Sequence, residues 1–240
     1  MNSTSFPKIF IGTMFSIENQ FDNCVKAIKS QKEVTIEHEI ITGLGEYDAH
    51  VRLYETWEKI KNSYDAFIKV DADMILKDDF VLQRAIKELN HAMTEGYTSI
   101  QCPLYDFYIE DTIFGLNCYS PEVIFHVPSS RIFCDRNMSN NKTKVLRKKE
   151  DSKFDLFPAG SHCENPNEIQ AFMWGYHRGT KSNDSAHQQL KISHSKNPNS
   201  AKKLALKGFE VGSSRKSIDM SYSDVEFRKI FEAAKLELGL

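Results

Sequence analysis

Hydrophobic and polar positions change rhythm several times along this chain, and each change marks an element. Lys8-Ile9-Phe10-Ile11-Gly12-Thr13-Met14-Phe15 reads as a strand. Ile17, Phe21, Val25 and Ile28 then recur at helical spacing, which predicts an amphipathic helix over 17–30. Val34, Ile36, His38 and Ile40 alternate with Thr35, Glu37 and Glu39, a second strand that stops at Gly43-Leu44-Gly45. The spacing of Val51, Tyr54 and Trp57 predicts a helix over about 48–62, and the apolar run 66–76 predicts a buried strand. Leu82, Ile86, Leu89 and Met93 form the next helical stripe, with Asp78 as N-cap and Gly96 as stop. Ser99 to Ile109 is strand-like again. This β-α-β-α-β-α-β order predicts right-handed crossovers and a mostly parallel sheet.

Past residue 109 the pattern loosens. The polar, basic stretch 136–153 reads as a solvated loop, and 154–159 as a short strand. Asn165-Pro166-Asn167-Glu168 reads as a helix start, with Asn165 as the cap, Pro166 at the first helical position and Glu168 at the third. Ile169, Phe172, Met173 and Tyr176 supply the apolar stripe behind it. The last ~45 residues read as polar helix, with Phe227, Ile230, Phe231 and Ala234 on one face.

The candidate chemistry sits in Asp71-Ala72-Asp73, at the polar break in the 66–76 run. Side chains alternate along an extended chain, so both carboxylates are expected on one side. Two acids at a strand exit suit a hard divalent cation, and α/β proteins keep their ligands at such exits. Asp-X-Asp alone is a common tripeptide; its setting gives it weight.

Composition narrows the classes. The chain has 240 residues, 40% hydrophobic and 27% charged, enough for a real core. A net charge of −2 gives no general attraction to nucleic acid or anionic lipid. No run approaches the ~20 apolar residues of a membrane span, and the start lacks the basic and apolar regions of a secretory signal. Cys24, Cys102, Cys118, Cys134 and Cys163 are odd in number and scattered, which predicts reduced thiols and a cytoplasmic location.

Three stretches together resemble the GT-A class of nucleotide-sugar glycosyltransferases, particularly bacterial enzymes of the family 2 type. They are Ile9-Phe10-Ile11-Gly12-Thr13, Val70-Asp71-Ala72-Asp73-Met74-Ile75-Leu76, and the segment from Ser161-His162-Cys163-Glu164-Asn165-Pro166 to Gly179-Thr180-Lys181. The resemblance covers roughly residues 8–181. It implies a GT-A type, Rossmann-like sheet flanked by helices as a catalytic domain over 1–194, with a helical C-terminal extension over 195–240. It further implies Mn²⁺ or Mg²⁺ held by Asp71, Asp73 and a later histidine, His162, and nucleotide-sugar contacts from Thr13, His50, Lys69 and Asp71. A UDP-sugar would be the donor and a glycan or lipid-linked hydroxyl the acceptor, in bacterial surface polysaccharide synthesis at the inner face of the membrane. The asparagine- and arginine-rich signature of many family 2 members is missing between residues 43 and 62, which leaves the nucleotide base open.

The chemistry asks for such residues on its own terms. Departure of a nucleoside diphosphate builds negative charge that a metal neutralises. Lys69, two residues before Asp71, could add positive charge there or be a lysine snorkelling at an edge. Asp106, just after a neighbouring strand, is the candidate base for an inverting transfer. His162 precedes a helix N-terminus and is favoured as the ligand; His177 reads as a C-terminal dipole partner of the same helix. At ~1.5 Å per residue the two histidines should not share a site unless that helix breaks.

Three other folds and roles share parts of this pattern. A haloacid dehalogenase-like phosphatase also ends a strand in Asp-X-Asp, though on its first strand. A sugar nucleotidylyltransferase wants a glycine-rich, arginine-containing first loop, unlike Gly12-Thr13-Met14-Phe15-Ser16. A metal-dependent carbohydrate-binding module would bind glycan without nucleotide.

Overall fold

The chain builds β1 (Lys8–Phe15), α1 (Phe21–Lys29), β2 (Thr35–Thr42), α2 (Glu46–Ile60), β3 (Ala66–Lys69), β4 (Met74–Leu76) and α3 (Val81–Thr94). β5 (Ser99–Asp106), β6 (Asp111–Tyr119), β7 (Ile124–Phe125), β8 (Met138–Ser139), β9 (Thr143–Val145) and β10 (Gly160–His162) follow. Four helices close it: α4 (Glu168–Thr180), α5 (Asp184–Lys196), α6 (Ser200–Ser214) and α7 (Val225–Leu238). The computed structural model describes residues 5–135, 137–147, 151, 153, 158–215 and 220–240. Most of the expected strand at 154–159, and part of the expected loop at 136–153, lie outside them.

The main sheet runs β2-β1-β3-β6-β5-β10-β4, with β9 sharing an edge of β5 with β10. β1, β2, β3, β5, β9 and β10 run one way; β6 and β4 run against them. A mostly parallel sheet flanked by helices, with further helices at the C-terminus, is the class expected from the sequence.

Alternation along the central strands divides the core. Ile9, Ile11, Ala66 and Ile68 face α1 and α3, where Cys24, Ile28, Leu82, Ile86 and Leu89 meet them. Phe10 and Phe67 point the other way, onto Leu53, Tyr54 and Trp57 of α2. Gly12 lets α2 come close, because a Cβ there would stand 2.2 Å from Leu53 Cδ1. A third cluster joins α4, α6 and α7 through Phe172, Tyr176, Leu204, Phe227 and Phe231. There α4 and α6 touch backbone to backbone: a Cβ on Gly175 would meet the Ala205 carbonyl at 1.8 Å, and one on Gly208 the Phe172 carbonyl at 2.1 Å.

Several boundaries depart from the sequence reading. The 66–76 run is two strands rather than one. After Val70 N donates to the Gly12 carbonyl, Met74 N donates to the Asp71 carbonyl at 2.9 Å, and the chain turns at residues 71–73. β3 stays central while β4 moves to the far edge and pairs with β10. Asp71 and Asp73 therefore sit on a turn, and strand alternation does not orient them. α4 starts two residues later than expected. Asn167 is its cap, accepting from Gln170 N while the Gln170 side chain accepts from Asn167 N, a full capping box. Asp78 is not the cap of α3; it accepts from Phe80 N in the preceding turn.

Candidate functional site

The ends of β1, β2, β3 and β10, the 71–73 turn, the start of α2 and one side of α4 surround a cleft of about 240 Å³. This is the carboxyl edge of the parallel strands, where helix and strand ends leave room for a ligand.

Strand register assembles its first group. On β10, His162 lies opposite Asp106 of β5 on one side and Met74 of β4 on the other. His162 is thereby held between Asp106 and the residue just before Met74, which is Asp73. Its Nδ1 stands 2.6 Å from Asp106 Oδ2 and its Nε2 3.6 Å from Asp73 Oδ1. A carboxylate can only accept, so Nδ1 carries the proton and Nε2 is left facing Asp73. The other Asp106 oxygen accepts from the backbone N–H of Tyr108 (2.9 Å) and Ile109 (3.0 Å). Burial would raise the Asp106 carboxyl, but the His162 hydrogen bond and charge hold it below the usual range. Burial would lower His162, and Asp73 and Asp106 outweigh it, so its pKa is raised. Cys163, in a left-handed conformation at φ 58°, donates its thiol to Asp73 Oδ2 at 2.8 Å and fixes that carboxylate.

Lys69 and Asp71 form the second group, with Nζ 2.9 Å from Oδ1. Burial opposes charge on both. The Asp71 carboxylate nonetheless raises Lys69, and Lys69 lowers Asp71. Beside them, Glu46 and His177 approach to 3.4 Å, and the His50 Nδ1–H donates to the Glu46 carbonyl at 2.8 Å. Gln170, Met173, Trp174, His177 and Arg178 repeat every three or four residues, so one face of α4 walls the cleft. The Arg178 guanidinium lies 3.6 Å from the Trp174 ring centroid.

The rim is fastened across the chain. Gln170 Oε1, already in the α4 capping box, also accepts from Asn19 N at 2.9 Å, and Asn167 Nδ2 donates to the Ile17 carbonyl at 3.0 Å. Glu18, on that loop, faces the cleft; burial raises its carboxyl more than the Ser16 and Ile17 amides lower it.

Of the residues expected at the site, His50, Lys69, Asp71, Asp73 and His162 line the cleft. Thr13 does not: it is fully buried, and its hydroxyl bonds His38 Nε2 at 2.9 Å. Asp106 is also fully buried, with both oxygens occupied, so it supports His162 from behind and offers no oxygen to an acceptor. His177 was expected apart from His162, yet both line one cleft with α4 unbroken, because the helix runs along the wall instead of away from it. Glu18, Glu46 and Trp174 were not expected there, and Arg178 reads from the sequence as a dipole partner at the end of its helix. The spacing of 170, 173, 174, 177 and 178 could have flagged the last two; nothing local singled out the two acids.

Among the described residues, no helix is long and apolar enough to cross a membrane. No protein-family model and no curated protein matches the chain. Solved structures do match. The crystal structure of A197 from STIV shares 12% identity at a TM-score of 0.35, over 48% of this chain; this chain spans 64% of that one. A mannosyltransferase, PcManGT from Pyrobaculum calidifontis, in complex with GDP-Man and Mn²⁺, shares 9% identity at a TM-score of 0.47, over 98% of this chain and 87% of its own. Function must be argued from the site itself.

Proposed function

We propose that the protein is a metal-dependent glycosyltransferase that moves a sugar from a nucleoside-diphosphate donor to a hydroxyl acceptor. The observation that carries this reading is the Asp73–His162–Asp106 array: a cleft-facing carboxylate and a cleft-facing imidazole nitrogen, the latter oriented from behind by a buried acid. Donors about 2.1 Å from a shared ion stand at most roughly 4.2 Å apart, and the 3.6 Å between Asp73 Oδ1 and His162 Nε2 falls within that span. Asp73 and His162 would hold the ion. An imidazole in the set favours Mn²⁺ over the harder Mg²⁺. A bound divalent cation would supply neutralising charge for the departing diphosphate.

The remaining work falls to the chain's own groups. Asp106 keeps the proton of His162 on Nδ1, the arrangement by which outer carboxylates tune ligating histidines. Lys69 sets the charge and orientation of Asp71, whose place on the turn suits a contact to the metal or to the donor ribose. Arg178, stacked on Trp174, presents a second cation to an anionic donor. With Asp106 enclosed, Glu18 is the carboxylate whose raised pKa fits it to accept a proton from the acceptor hydroxyl. The donor assignment remains a UDP-sugar, with a glycan or lipid-linked acceptor, in the cytoplasm.

The test is a thermal-shift and turnover screen of UDP- and GDP-linked sugars with and without Mn²⁺. A donor at a hundredfold excess over its dissociation constant stabilises a binder by ~2.7 kcal/mol. Metal-dependent stabilisation by a nucleoside diphosphate is expected; stabilisation by glycan alone would replace the enzyme reading with a binding module.

A further inference from the structure

A second set of metal-type donors lies beside the first. A carboxylate oxygen of Glu46, a ring nitrogen of His50 and the sulfur of Cys134 are within 4.8 Å of one another. His177 Nε2 reaches the same carboxylate, 3.4 Å from Glu46 Oε2. His50 is the decisive member. It is 3% exposed, its Nδ1 proton is committed to the Glu46 carbonyl at 2.8 Å, and its Nε2 has no hydrogen-bond partner. A buried nitrogen lone pair left without a partner costs about 1–3 kcal/mol, so such atoms usually have a function. A ring fixed through Nδ1–H to a backbone carbonyl, with Nε2 presented inward, is how proteins hold a metal-ligating histidine.

We infer that Glu46, His50, Cys134 and His177 bind a zinc-class divalent cation that fastens the 128–135 segment onto α2 and α4. The donor set decides the class: thiolate and imidazole select zinc-like ions over Mg²⁺ or Ca²⁺. Four donors at 2.0–2.3 Å around one ion lie roughly 3.3–3.8 Å apart; Glu46, His50 and Cys134 must draw in by about an ångström, and His177, at that spacing from Glu46 alone, must turn further toward the other two. Binding exchanges one proton: the Cys134 thiol, which now donates to the Arg131 carbonyl at 3.0 Å, releases its proton to water and the thiolate takes the metal.

The fold gives such a tie something to do. Between β7 and β8 the described residues make no regular element, and side-chain contacts tie them to the helices. Tyr47 Oη donates to the Pro128 carbonyl at 3.1 Å, the Arg131 guanidinium lies 4.7 Å from the Tyr47 ring, and Lys181 Nζ lies 6.0 Å from the Phe133 ring. A cation joining Cys134 to α2 through Glu46 and His50, and to α4 through His177, would cross-link three segments distant in sequence. The inference does not depend on the glycosyltransferase reading.

The test titrates the full chain, stripped of metal, with Co²⁺ alone and reads the thiolate-to-cobalt charge-transfer absorption. Cys163, beside Asp73 and His162, is the rival thiolate. The band is expected in the wild type and in Cys163→Ser, and lost in Cys134→Ser. His50→Gln should weaken Co²⁺ binding by at least the ~10-fold that even an outer-shell partner is worth. Absence of a thiolate band, a band that survives Cys134→Ser, or unchanged affinity in His50→Gln would overturn the inference. Should Cys134→Ser fail to fold, alkylation of wild-type Cys134 settles the matter by mass spectrometry: Zn²⁺ is expected to protect it, and equal labelling with and without Zn²⁺ refutes the site.

Discussion

Replacing Asp106 with Asn tests how the site holds His162. The carboxylate serves two customers: one oxygen takes the Tyr108 and Ile109 amides, the other takes His162 Nδ1. Asparagine has one oxygen and one NH₂ in the same volume. Two backbone donors outweigh one ring donor, so the oxygen should stay with the amides and the NH₂ should turn to His162. Nδ1 must then accept, and the ring proton moves to Nε2, which faces Asp73. Nε2 becomes a donor where a lone pair is needed. Disturbing an outer-shell partner of this kind costs 10–100-fold in metal affinity, about 1.4–2.7 kcal/mol. The assay is Mn²⁺ binding followed by paramagnetic resonance of the free ion, with His162→Gln as the reference for full loss and circular dichroism to confirm the fold. An Asp106→Asn protein that folds and binds Mn²⁺ as tightly as the wild type would refute the tautomer argument and the ligand role of His162 with it.

Other perturbations separate site from scaffold. Asp73→Ala should abolish Mn²⁺-dependent donor turnover with little change in Tm, since a carboxylate on a turn adds little to the core; wild-type turnover in the presence of chelator would contradict it. Glu18→Gln should lower kcat far more than KM if this group takes the acceptor proton, and an unchanged kcat would exclude it. Gly208→Ala should cost about 1–3 kcal/mol by forcing α4 and α6 apart, roughly 2–4 °C of Tm per kcal/mol in a chain of this size; an unchanged melting curve would mean the helices are not in backbone contact. The last concerns acid stability. Glu110, 2.6 Å from the buried Lys202 Nζ and bonded to Asn197, has a lowered pKa, chiefly through Lys202. A depressed carboxylate stabilises above its unfolded value of ~4.3 and loses that as pH falls through the folded value. The Tm gap between wild type and Glu110→Gln should therefore be full at neutral pH and close in acid; a gap independent of pH would show the ion pair is not its source.

The sequence was most legible where period and layer agree. β1, α1, β2, α2 and α3 all form where expected, and the stripe Leu82, Ile86 and Leu89 of α3 is core as expected; in α1 only Ile28 of the expected stripe is buried, beside Cys24, and in β2 Ile41 is buried where Ile40 was expected. It was least legible where the partner is remote. Nothing in Val70-Asp71-Ala72-Asp73-Met74 announces a turn: there is no glycine or proline, and flanking apolar residues continue on both sides. The break is imposed by β10, which captures residues 74–76 at the far edge. Asp106 was found as a chemical group but misjudged in role, because only the pairing of β5 with β10 shows that His162 consumes its free oxygen. His177 was set aside by measuring along α4, when the relevant quantity is the helix's direction across the cleft. The capping box at Asn167 and Gln170 shows the same limit, since Asn165 with Glu168 and Asn167 with Gln170 fit one pattern equally well and the sequence does not choose between them.

The carboxamide of Gln170 joins two structures usually able to move separately. Its oxygen serves the first turn of α4 and, at the same time, the amide of Asn19 on the loop after β1. That loop cannot swing off the cleft without giving up a hydrogen bond that steadies the Gln170 side chain in the α4 capping box. Fraying of the helix likewise releases the loop. Access to the cleft and fraying of the helix start are thus coupled through one acceptor atom. Amide exchange at Asn19 and at Gln170, though the two lie far apart in the chain, should respond together when a bound molecule holds the rim shut.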